Sequence, residues 1–179
     1  IGLSCEAAAE LILKKVSPFR LICDSPIPNQ DFFEFRNELF SILQDRGKPI
    51  NERITELLAW TNAALPLKEI NWLDICKKLE RLDTVWDEYL NSTDCVNFYI
   101  PEQFALPCEQ LLCYFIYRHL SGAFEDFLFT ERIQFAILSC LVIVSLNKTK
   151  TLEELLEVAR LYSSEIEYSD ENIYALLDI

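Results

Sequence analysis

Along most of the chain, apolar side chains recur at spacings of three and four, the period of one face of an α-helix. Phe32, Phe35, Leu39, Ile42 and Leu43 predict a helix from about Asp31 to Asp45, with Gly47 as its left-handed stop and Pro49 as the break. Ile54, Leu57, Leu58 and Leu65 predict the next, from an Asn51 cap to about Leu65, closed by Pro66. Asn71 caps a further helix with Trp72, Ile75, Cys76, Leu79 and Leu82 inward. Asp83 restarts or continues it through Val85, Trp86, Tyr89 and Leu90, so two pieces and one long helix both fit. Upstream of these, Ser4 caps a helix carrying Ala7, Ala8, Leu11, Ile12 and Leu13 to about Val16, and Pro18 ends it.

Where the period fails, the chain must cross or turn. Residues 17–30 hold Pro18, Pro26 and Pro28 and read as a surface connector. Asn91 to Ile100, with Val96, Phe98 and Ile100 alternating, is the candidate for a short non-helical crossing. Pro107 fits the first turn of a helix to Leu120 that is apolar nearly all round, and Phe127 to Leu146 is similar, so both should sit centrally. Thr151-Leu152-Glu153-Glu154 is a capping box, followed by a stripe of Leu152, Leu155, Leu156, Ala159, Tyr162 and Ile166. Ser169 or Asp170 caps a last helix to about Leu177. The expectation is an all-α fold: residues 1–179 as one irregular bundle of about eight helices around two central apolar ones.

Composition agrees with this pattern and narrows the chemistry. The chain has 179 residues, enough for one sizeable core, and only three glycines, where sheets need many for turns and bulges. A net charge of −13 repels phosphate backbones and anionic lipid, which argues against nucleic acid and membrane as partners. The apolar run Ile133 to Leu146 is shorter than the roughly 20 residues a bilayer span needs. Seven cysteines, an odd number with no C-x-x-C pair, read as free thiols in a reducing cytoplasm. The chain starts Ile1-Gly2 and holds no Met, so a segment upstream of it is expected to be missing.

No strand leads into a glycine-rich turn that could cradle a nucleotide. His119 is the only histidine and, beside Arg118 near a helix end, reads as a helix-terminal cation. Cys108 and Cys113 lie about 140° apart round a helix, no chelate. From Thr151 onward eight acidic residues (Glu153, Glu154, Glu157, Glu165, Glu167, Asp170, Glu171 and Asp178) face one basic residue, Arg160. That excess is either a solvated face or a docking surface for a lysine-rich partner.

Four segments carry a resemblance. Leu3-Ser4-Cys5-Glu6-Ala7-Ala8, Leu79-Glu80-Arg81-Leu82-Asp83 to Trp86, the Glu109 to His119 helix, and Tyr162-Ser163-Ser164-Glu165-Ile166-Glu167-Tyr168-Ser169-Asp170-Glu171-Asn172 are similar to the C-terminal region of bacterial flagellin lysine-N-methylases. The resemblance spans essentially the whole chain, and the last segment is its most specific part. It implies a cytoplasmic bacterial protein that transfers methyl groups from S-adenosylmethionine to flagellin lysines. It also implies an upstream cysteine-rich module holding an iron-sulfur or metal centre, without which this helical region is inactive. The family's cysteine falls on Cys5, which the resemblance makes the last metal ligand; Glu6 stands where the family has Pro, and the other reading of Cys5 is an ordinary packed thiol. The alternative function is a non-catalytic helical interaction module of another bacterial system.

Overall fold

The computed structural model describes residues 29–61 and 72–178, and every regular element among them is helical. The fold is all-α. The predicted helix 4–16, most of the connector 17–30, the Asn71 cap and the close at Leu65 and Pro66 lie outside the described residues. Helix α1 (Asn29–Leu43) begins two residues ahead of its predicted start and turns Phe32, Phe35, Leu39 and Leu43 inward, as its stripe requires. Helix α2 (Ile50–Thr61) packs on it through buried Ile50, Ile54 and Leu57.

Two signals between α1 and α2 act differently from their sequence reading. Gly47 is not left-handed, since no described glycine has a positive φ; α1 ends instead through local bonds such as Gln44 N to Phe40 O at 2.8 Å. Asn51 is not the cap, because α2 starts one residue earlier, with the Pro49 carbonyl accepting from the Glu52 and Arg53 amides. The Asn51 amide is thereby freed to bind the backbone of Ile100 in both directions, donating at 2.8 Å and accepting at 2.9 Å.

Helices α3 (Trp72–Cys76) and α4 (Thr84–Asn91) are separate. Asp83 has extended backbone and caps α4 by accepting from Val85 N at 2.8 Å. Leu82, expected inward, falls in the break and is 77% exposed. Residues 92–101 cross without forming a strand, anchored by buried Val96 and Ile100.

A 3-10 turn (Glu102–Phe104) leads into α5 (Ala105–His119), with Pro107 in the first turn, where its missing amide leaves no helical bond unmade. The short α6 (Ala123–Asp126) closes on Phe127 at φ 62, a left-handed stop, so α7 (Phe129–Leu146) starts two residues later than its pattern suggested. Every residue from Phe135 to Val144 is buried, and α5 against α7 is the most extensive helix pairing of the fold. The two central helices are therefore the expected ones, although α5 keeps Leu106, Tyr114 and Tyr117 at the surface. By length and composition alone α7 could cross a membrane, a test that the core helix of a bundle also passes.

Thr151 caps α8 (Leu152–Tyr162) by accepting from Glu154 N at 3.2 Å. The return half of the capping box is displaced, because the Glu154 carboxylate accepts from the amide and hydroxyl of Thr149. The buried stripe of α8 is Leu155, Val158, Leu161 and Tyr162, while Leu152 and Leu156 are 51% and 58% exposed. A π-helical turn (Ser163–Glu167) follows, then α9 (Asp170–Leu177), capped by Ser169, which accepts from Asn172 N at 3.2 Å.

Candidate functional site

Across the π turn Glu165, Ile166 and Glu167 are all buried in succession. Two carboxylates thus enter the core side by side in the chain and point to different neighbours. Glu165 accepts from the Leu82 amide at 2.8 Å. Its own carbonyl accepts from the Asn172 side chain at 2.8 Å, and that side chain also donates to the Glu80 carbonyl at 3.0 Å.

Glu167 faces α5. Its carboxylate lies 2.7 Å from His119 Nε2, 3.3 Å from the Tyr114 hydroxyl that donates to it, and 3.3 Å from Arg118 Nε. Burial pushes the Glu167 carboxyl upward, but hydrogen bonds from His119 and Ser163 and the charges of His119 and Arg118 outweigh it, holding it below the ordinary range. The His119 ring is stacked on Phe115 and edge-on to Phe135, at centroid distances of 6.3 and 5.1 Å. Beside this joint Tyr162 meets Trp86 edge-on at 6.1 Å and shares a 2.8 Å hydrogen bond with Ser139 of α7.

Two further clusters of ion pairs tie the helices together, one at Glu109 near the start of α5 and one at Arg132 of α7. Glu109 of α5 binds Arg53 of α2 and Arg46, each at 2.7 Å, and the Arg53 guanidinium also donates to the Leu43 carbonyl. The hydrogen bond to Arg46 lowers the Glu109 carboxyl against the opposing effect of burial, and Arg53 adds to the lowering. Arg132 of α7 pairs with Asp126 and donates to the His119 carbonyl at 2.8 Å. Gly122 makes room for that guanidinium: a Cβ there would stand 2.4 Å from it.

His119 does end α5, as its place near a helix end suggested, but it is buried there as the partner of Glu167. The eight acidic residues of the C-terminal part do not share one face, because Glu165 and Glu167 are core residues while Glu153, Glu157, Asp170, Glu171 and Asp178 are exposed. Cys5 lies outside the described residues. Cys108 is fully buried and Cys113 half-buried, and the neighbour of Cys108 is Cys140 of α7, whose Sγ is 3.9 Å from the Cys108 carbonyl. Burial pushes the Cys76 thiol up to about 12 and that of Cys113 to about 11, so both stay protonated and weakly nucleophilic at neutral pH. Among the described residues no group of three or more His, Cys, Asp or Glu side chains is arranged to hold a metal. An open hollow of about 480 Å³ beside α2 is lined by Lys48, Asn51, Glu52, Thr55, Glu56 and Ala59, with a 2.6 Å Lys48–Glu56 ion pair.

The chemistry of the joint is electrostatic clamping. It is closed to solvent at His119 and Glu167, and it fixes the 77–83 connection, the end of α5 and the C-terminal helices to one another. Sequence reasoning passed over Arg53 and Arg132, gave Glu109 and Asn172 no role of their own, and counted Glu165 and Glu167 only within an acidic surface. Glu109 carried a usable signal: a lone carboxylate between Cys108 and Leu112 in a central helix requires a cationic partner.

The fold and joint define an all-α bundle pinned by buried ion pairs. In comparisons with protein-family models, curated proteins and solved structures, the chain matches none.

Proposed function

We propose that the chain is the helical support region of a flagellin lysine-N-methylase, inactive alone and serving methyl transfer from S-adenosylmethionine to flagellin lysines in the bacterial cytoplasm. One observation carries this reading: three of the segments that resemble the family, far apart in the chain, converge on the π-turn joint. Glu80 and Leu82 of the first meet Asn172 and Glu165 of the last, and Tyr114, Arg118 and His119 of the second meet Glu167 of the last. Residues that hold an architecture together are the ones a shared architecture would keep. On this reading the reacting groups and the iron-sulfur or metal centre belong to an upstream cysteine-rich module, with Cys5 as its last ligand.

The test begins with the gene's upstream coding sequence and the whole polypeptide it encodes, incubated with isotopically labelled S-adenosylmethionine and unmethylated flagellin. The expected result is an upstream cysteine cluster, label on flagellin lysines with the whole polypeptide, and none with this chain alone. Methylation by the chain alone, or an inert whole polypeptide lacking clustered cysteines, overturns the proposal in favour of a helical interaction module.

A further inference from the structure

We draw no further inference here: the strongest candidate, the surface patch where Arg36 of α1 lies between the exposed rings of Phe33 and Tyr117 of α5, carries nothing because nothing in the structure shows what covers it.

Discussion

Glu167→Ala isolates what the π-turn joint contributes to stability. The substitution removes the acceptor shared by His119, Tyr114 and Arg118. The last two can turn to water, since Tyr114 is 40% exposed and the Arg118 side chain 43%. His119 cannot, being 6% exposed and held between Phe115 and Phe135. An orphaned buried donor costs about 1–3 kcal/mol, and the void left by the truncated side chain adds roughly 1 kcal/mol. The total is about 2–4 kcal/mol, which in a chain of this size lowers the melting midpoint by about 5–12 °C. Thermal unfolding followed by far-ultraviolet circular dichroism at neutral pH measures it. The double variant with His119→Phe separates the pair from its surroundings, because with the ring nitrogen gone the second substitution should cost at least ~1 kcal/mol less than it does alone. A Glu167→Ala protein within about 0.5 kcal/mol of wild type, or costs that simply add, would refute the reasoning.

Other outcomes follow from the same geometry. Glu109 and Glu167 are both held below the ordinary carboxylate range, so the unfolded chain takes up their protons first; their contribution is complete above about pH 4.3 and is lost as pH falls through the lower folded values. Denaturant titrations at stepped acidic pH should therefore show stability falling below that point, with a shallower fall in Glu109→Gln, which at neutral pH starts lower because Arg53 remains buried without its counter-charge. Gly122→Ala should cost about 2–3 kcal/mol in the same titrations, because the new Cβ displaces an Arg132 guanidinium engaged with both Asp126 and the His119 carbonyl. Asn51→Ala removes both bonds to Ile100 and should speed hydrogen exchange at the Ile100 amide, for about 1–2 kcal/mol of stability. Mass-resolved alkylation at mildly alkaline pH should label exposed Cys95 early and leave Cys76, Cys108 and Cys140 unmodified until the protein unfolds.

Periodicity located the helices because each buries one face, and burial of Leu39, Leu57, Leu112 or Leu155 is what makes a stripe. It misjudged positions where a local group had a second use. Asn51 is a good cap by type, but the Ile100 backbone across the fold claimed its side chain. Glu154 stands at the right spacing for a capping box, yet the neighbouring Thr149 amide is the donor that reaches it. Leu152 and Leu156 fit the α8 stripe by type, but Val158 and Leu161 set the buried face, leaving those two leucines outside.

The joint was illegible for a stronger reason. Its carboxylates sit in a π turn, and no residue between Ser163 and Glu167 signals that turn alone. Glu165 and Glu167, two residues apart, point to nearly opposite sides of their turn, so both are buried only because the fold packs on both sides. Burying both demands donors from elsewhere, and these come from the Leu82 amide and from α5. Leu82 lies in the non-helical connection between Cys76 and the Asp83 cap, where its amide is free to serve Glu165 while its side chain stays outside. The break between α3 and α4 and the π turn are therefore two halves of one contact. Removing the Glu165 acceptor should loosen the 77–83 connection more than it loosens α8, whose buried stripe does not depend on it.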